Sequence, residues 1–309
     1  MIAFVLSGGG SRGALQAGAL RALLERGIRP DLLVGTSVGG INAAFLAVEP
    51  SLSRVERLAE VWRATRREDI YPGNRLQVAW RLMTGQGSMY PNDAFRRFVE
   101  RHLVSGAEHF ADFAVPCYIV ATNLDTGAMR VLGERPTDKV LDAVLATTAL
   151  PPLHPPHPLD DGDYVDGGAV ALLPIEVALD HGASEVYALH IIDGPAPPVG
   201  RKTVLHVSSQ AIGALVQRQW QDSVQRCAQS RVRLHHIQLM PPEACPMSDY
   251  SKTDVMLQAG YDQTIAYLSR VEPVTPWHAR LRQRAGGWWR APRSLSPARG
   301  SRMGSGPVL

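Results

Sequence analysis

Two short patterns in this chain have the residue types of a reaction centre. Gly35-Thr36-Ser37-Val38-Gly39 follows the apolar run Leu32–Val34 and leads into the Ala-rich stretch Val38–Val48. A G-x-S-x-G between a strand and a helix suits a nucleophile elbow. There the serine occupies a strained turn, and glycines two positions to either side let strand and helix close up. The serine hydroxyl then stands at a helix N-terminus, which favours developing negative charge. The same five residues also suit a plain turn whose serine caps the helix. Upstream, Gly8-Gly9-Gly10-Ser11-Arg12-Gly13 follows the apolar run Ile2–Leu6. Consecutive glycines permit a sharp turn that aims several N–H groups at one point, which fits a pyrophosphate or a tetrahedral oxyanion.

Because Gly8–Gly13 also satisfies G-x-G-x-x-G, a dinucleotide-binding oxidoreductase is one alternative. Such a site needs an acidic residue at the end of the second strand. The nearest, Asp31, precedes Leu32–Val34, and Gly35–Gly39 occupies the end where the acid belongs. A serine nucleophile needs a base instead, and Asp166 in Tyr164-Val165-Asp166-Gly167-Gly168 has the best setting. A short β-type run delivers its carboxylate, and Gly167-Gly168 permits close backbone approach beside it. A lone D-G-G also suits an ordinary turn, as Asp161-Gly162 does. His154, His157, His181 and His190 stay open as bases by spacing alone, although none has a comparable setting. His154 and His157 stand at H-x-x-H spacing between prolines, a weak metal pattern; no metal site is expected. An α/β-hydrolase would place its elbow after several strands, whereas one strand and one helix precede Ser37.

A glycine loop after the first strand, G-x-S-x-G after the second, and D-G-G more than a hundred residues later resemble the patatin-like phospholipases. Ala146–Pro156, Asn123–Gly127 and Ser251–Asp254 followed by the Gly260 helix are similar to further segments of that family, so the resemblance runs over roughly residues 2–270. It implies a three-layer α/β/α sandwich with a central mainly parallel sheet, and a Ser–Asp dyad without histidine. Ser37 maps to the nucleophile and Asp166 to the base. Gly8, Gly9 and Gly10 map to the oxyanion loop, with Arg12 at its basic position, and His154 departs from the family by replacing an apolar aromatic. The activity implied is that of a serine lipid acyl hydrolase of phospholipase A, lysophospholipase or carboxylesterase type. It would need no cofactor and would act on a lipid or fatty-acyl ester. A catalytically silent lipid-binding or regulatory module is the other alternative, against which the intact Ser37, Asp166 and glycine loop speak.

The elements that must position these residues are legible from periodicity. Ile2–Leu6 and Leu32–Val34 suit buried central strands. Leu15, Ala19 and Leu23 line one face of a helix that starts at Arg12 and stops at Gly27. A charged amphipathic helix capped by Ser51 or Ser53 is expected to run to about Arg67. Residues 69–110 are less regular, with two expected helices containing Trp80, Leu82, Met83, Phe95 and Phe98, and suit an insertion or cap. Val115–Thr122 and Ala128–Leu132 suit a hairpin. Thr137-Asp138 should start a helix that ends before the Pro-rich segment Leu150–Pro158. Further strands are expected at Tyr164–Val165, Glu185–Ile191 and Val232–Gln238. Further helices are expected at Ile175–His181, Val207–Cys227 and Thr253–Ser269.

Composition bounds the function classes. The 309 residues are 45% hydrophobic and 20% charged, which suits one large α/β domain. No window approaches a spanning helix, and no basic start precedes the apolar opening, so a cytoplasmic protein is expected. Three cysteines without a CxxC pair do not suggest a disulfide framework. The net charge is +3, yet seven arginines and no acid lie beyond residue 279, which leaves residues 1–279 at −4. That acidic body has no footprint for nucleic acid. Residues 271–309 form a basic Gly/Pro/Arg-rich tail expected to be largely disordered, whose Trp288-Trp289 could make peripheral contact with an anionic membrane.

Overall fold

The protein is described by a computed structural model over residues 1–102, 106–193 and 204–271. Nearly all of the expected tail, Trp288-Trp289 included, lies outside those residues. Residues Met1–Leu268 form one unit and Ser269–Leu309 group separately.

Two-residue alternation of apolar side chains divides the interior into two cores. In β1 (Ile2–Leu6), Phe4 and Leu6 enter one core, and Ala3 and Val5 the other. In β2 (Leu32–Thr36), Leu33 is divided from Leu32 and Val34 in the same way. All these side chains are buried, as in strands covered on both faces. Between and after these strands come α1 (Ala14–Glu25), α2 (Val38–Ala47) and α3 (Leu52–Ala64). The helix expected from Arg12 begins as a 3-10 turn over Gly10–Gly13. Ser51 is the cap of α3, accepting from Arg54 N at 3.2 Å, and the helix stops at Ala64 rather than near Arg67. Thr65 is extended there, and its hydroxyl donates back to the Val61 carbonyl at 2.8 Å.

The irregular stretch contains α4 (Arg67–Ile70), α5 (Arg75–Met83) and α6 (Asp93–His102). Ile70, Tyr71, Tyr90, Phe95 and Val99 all enter the larger core, so its two ends are rooted there. β3 (Cys117–Asn123) and β4 (Met129–Leu132) form the expected hairpin. After α7 (Val140–Thr147), a short strand missing from the sequence reading, β5 (His157–Leu159), emerges from the Pro-rich segment and pairs with β6 (Gly162–Asp166). It is the sheet's edge, where the missing N–H of Pro158 is tolerated. α8 (Gly168–Ala171), α9 (Ile175–Asp180), β7 (Glu185–Ile191), α10 (Val204–Gln229), β8 (Arg233–Leu239) and α11 (Thr253–Val271) complete the order.

The eight strands form one sheet in the order β5-β6-β3-β2-β1-β7-β8, with β4 also on β3. The β3–β2–β1–β7–β8 pairings are parallel; those of β3 with β4 and β6, and of β5 with β6, are antiparallel. Helices α1, α2, α3, α6, α7 and α11 contribute to the larger core, and α9 and α10 to the smaller. The result is a three-layer α/β/α sandwich.

Candidate active site

Sheet register brings Ser37 and Asp166 together. Thr36 of β2 is level with Val120 of β3, so Ser37 follows at the level of Ala121. Antiparallel β6 places Asp166 opposite Ala121 from the other side. The two residues thus flank one position of β3, two strand spacings or roughly 10 Å apart at the backbone, and their side chains meet across that gap. The Ser37 hydroxyl comes near enough to the Asp166 carboxyl to favour its ionised form.

The turn at Ser37 has the geometry of an elbow. Ser37 has φ 56° and is the one non-glycine residue with positive φ among those described. Such backbone conformations cost about 1–3 kcal/mol and persist only where the surroundings enforce them. Here a Cβ at Gly35 would overlap the Gly39 carbonyl, and one at Gly39 would overlap the Leu6 carbonyl. Ser37 N donates to Thr147 Oγ1 at 2.8 Å, and that hydroxyl donates in turn to the Val120 carbonyl. Thr147 therefore ties the elbow to β3. Ser37 itself is the N-cap residue of α2, so its hydroxyl stands at the positive end of that helix.

Asp166 is 4% exposed. Burial raises its pKa from 3.8 to about 6, partly offset by the nearby Ser37 hydroxyl and by the Gly168 N–H, which donates to the carboxyl at 2.7 Å. Thr122 Oγ1 donates to the Asp166 carbonyl at 3.0 Å and fixes the strand end. The chain then passes at Gly167 so close to β3 that a Cβ would overlap the Val120 carbonyl. Burial, with the Asp166 charge as a smaller contribution, pushes the Tyr71 phenol up to about 12.

The glycine loop lies over the serine: a Cβ at Gly8 would stand 3.2 Å from Ser37 Cβ. Gly8 N donates to the Leu172 carbonyl at 3.1 Å, and Ser11 N to the Met247 carbonyl at 2.8 Å, so neither is free to serve a ligand. Gly9 and Gly10 N–H groups make no hydrogen bond among the described residues, and both residues are partly exposed. Gly10 has φ +62°, the left-handed region that glycine tolerates without strain. Arg12 Nε donates to the Gly9 carbonyl at 3.2 Å and Nη1 to Asp193 at 2.7 Å, so its guanidinium braces the loop. Gly13 packs against Val38 and the Trp62 ring.

Beneath the loop runs a buried polar chain that sequence reading missed. Trp62 Nε1 donates to Asn42 Oδ1 at 3.1 Å. Asn42 Nδ2 donates to Gln16 Oε1 and to the Gly13 carbonyl, both at 3.0 Å. Gln16 Nε2 donates to the carbonyls of Ser7 and Leu189. Both ends of the glycine loop are thereby fixed to helices α1 to α3. The usable signal was polar Asn42 within an otherwise apolar helix.

Histidines stand apart from the serine in role. His154 is buried between the rings of Tyr71 and Phe95, with Nε2 2.9 Å from the Ile70 carbonyl, and burial lowers its pKa. His157 pairs with Asp142, His181 with the Val177 carbonyl, and His190 with His236. No cluster of three or more His, Cys, Asp or Glu side chains suited to a metal occurs among the described residues. Asp31 accepts from Ile2 N at 2.8 Å, at the sheet end opposite the glycine loop.

A serine on an enforced turn, a buried carboxyl beside it, and two backbone donors without a partner among the described residues make an arrangement that could carry acyl transfer. The profile of the patatin-like phospholipase family matches residues 4–179, more than half of the chain and a span that includes all of these groups, and the chain belongs to that family. It is 33% identical over 191 residues to patatin-like phospholipase domain-containing protein 6 of Homo sapiens, covering 62% of this chain and 13% of that protein. Lysophospholipase NTE1 of Mycosarcoma maydis is 30% identical over 209 residues, covering 63% of this chain and 10% of that protein. Among solved structures, VipD from Legionella pneumophila aligns with a TM-score of 0.46 at 14% identity, covering 87% of this chain and 66% of that one. The chain thus spans only a small part of the curated relatives it matches. No helix among the described residues is long and apolar enough to cross a membrane.

Proposed function

We propose that this chain is a serine lipid acyl hydrolase that cleaves carboxylic esters through an acyl-Ser37 intermediate. The observation that carries the proposal is the convergence of Ser37, on its strained turn, and a buried Asp166 on one position of β3, with the Asp166 pKa raised to about 6, which suits a base near neutral pH. Ionised Asp166 takes the proton as Ser37 Oγ attacks the acyl carbonyl, forming the C–O bond and moving the carbonyl pair onto oxygen. Gly9 and Gly10 N–H groups receive that oxyanion, each worth roughly 3 kcal/mol in such a role. Collapse expels the alcohol, which leaves with the proton held by Asp166. Water then attacks the acyl-enzyme with Asp166 again as base, releasing the acid and restoring Ser37. Gly8, with its N–H engaged by Leu172, and Arg12 and Gly13 shape the loop; they are not assigned as donors to the oxyanion.

The family and the lysophospholipase named among its relatives favour a lipid ester as substrate. Titrating free fatty acid released from lysophosphatidylcholine tests this. Turnover is expected in the wild type and a loss of at least about 10³-fold in Ser37→Ala. Equal turnover in both proteins would remove Ser37 from the mechanism.

A further inference from the structure

Three large apolar side chains of α5 point away from the protein. Leu76, Trp80 and Met83 are 81%, 66% and 76% exposed, and their i, i+4, i+7 spacing puts them on one face. The half-buried positions of that helix are Val78 and Arg81. The helix is held firmly in this orientation. Asn74 caps it, accepting from Leu76 N and Gln77 N at 3.0 Å each. Arg81 then pins its last turn to Ser88 through Nε to the carbonyl at 3.0 Å and Nη2 to the hydroxyl at 3.2 Å.

The two roots of this projection pack against the segment whose Ala149 carbonyl accepts from Asp166 N. Tyr71 precedes it and Tyr90 follows it, and their rings pack 5.3 Å apart. Tyr71 senses the Asp166 charge. Met89 N and Tyr90 N donate to the carbonyls of Pro152 and Leu153, in the segment leading to β5 and β6. An outward apolar face therefore stands a few residues from the dyad.

We infer that the exposed face of α5 docks the protein on an anionic phospholipid surface, seating the active site against the lipid that supplies its substrate. This rests on the lipid-hydrolase function proposed above. Charge favours that occupant: residues 70–92 contain Arg75 and Arg81 and no Asp or Glu, whereas residues 1–279 as a whole are acidic. Size disfavours a second copy of the chain. Three exposed side chains offer a few hundred Å² of accessible surface at most, roughly half of the ~800 Å² per partner of a stable interface. An interfacial helix works with less, because its binding adds attraction to anionic lipid to the apolar area it buries.

The test is vesicle flotation with the full chain carrying Ser37→Ala, so that lipid is not consumed and binding is read whether or not the protein is a hydrolase. The second protein adds Leu76→Ser, Trp80→Ser and Met83→Ser, with circular dichroism to confirm that it folds. The parent is expected to float with phosphatidylglycerol vesicles and far less with phosphatidylcholine, and the triple substitution to weaken binding at least about tenfold. Undiminished binding by the variant would place docking elsewhere, and no binding by the parent would overturn it outright. If light scattering shows a dimer that the triple variant dissolves, the face belongs to self-association and the inference fails. Should the triple variant not fold, the Trp80 emission of the parent, taken as the difference from Trp80→Phe, must shift to the blue on adding phosphatidylglycerol vesicles. An unshifted emission rejects docking through α5.

Discussion

Replacing Asp166 by asparagine is expected to stabilise the fold at neutral pH, by an amount that vanishes in acid. The residue is 4% exposed, and burial holds its pKa at about 6 against 3.8 for an unperturbed aspartate. Well above pH 6 the carboxyl is ionised in both the folded and the unfolded chain, and the folded chain bears the whole cost of burying the charge. At about 1.4 kcal/mol for each tenfold change in proton affinity, that cost is roughly 3 kcal/mol. As the pH falls through 6, the folded carboxyl takes up a proton that the unfolded chain does not yet bind, and the cost shrinks. Well below pH 4, at about pH 3 and lower, both are protonated and it is gone. Asparagine keeps an oxygen for the Gly168 N–H and gains an N–H that can face Ser37, so the packing survives. Urea unfolding of wild type and Asp166→Asn at about pH 8, 6 and 3 measures this. The variant should be more stable by about 2–3 kcal/mol at the highest pH and indistinguishable at the lowest. A variant less stable at pH 8, or a difference that ignores pH, would refute the assignment of a desolvated carboxylate.

Other substitutions test the scaffold around the pair. The same ionisation should govern activity: kcat/KM rises with pH to a plateau with a midpoint near 6, whereas a midpoint near 4 would indicate a solvated base. Asn42→Ala removes the hub of the buried polar chain and leaves groups of Gly13, Gln16 and Trp62 without their partner. It should cost about 3 kcal/mol or more in urea unfolding and lower kcat as the glycine loop loosens. Thr147→Val keeps the shape but removes the hydroxyl that receives Ser37 N; about 1–3 kcal/mol of stability should go with it, along with turnover. Gly39→Ala drives a methyl into the Leu6 carbonyl and should cost about 1–3 kcal/mol, read as a lowered thermal midpoint.

What the sequence disclosed about the site follows from where the physics is local. Gly35, Gly39 and Gly10 are dictated by backbone crowding or positive φ within a few residues, so their spacing is visible as text. The strands β1, β2 and β7 were legible because burial on both faces leaves continuous apolar runs. Thr147 was not legible: its hydroxyl matters through Ser37, 110 positions away, and nothing in its own helix marks it. Tyr71 likewise acquires its place beside Asp166 only through the fold. His154 fills an aromatic's place by stacking between Tyr71 and Phe95. β5 was hidden because prolines argue against a strand, and only its position at the sheet edge permits one. The helix from Ser51 was expected to be too long because the back-bonding of Thr65 to Val61 does not show in hydrophobic periodicity.

The most direct test of Ser37 as nucleophile is to treat the folded protein with a fluorophosphonate and locate the adduct by peptide mass spectrometry. The expected result is a single phosphonylated residue, Ser37, with labelling slowed by orders of magnitude in Asp166→Asn. Modification of a different serine, or a folded wild type that takes up no label, would contradict it.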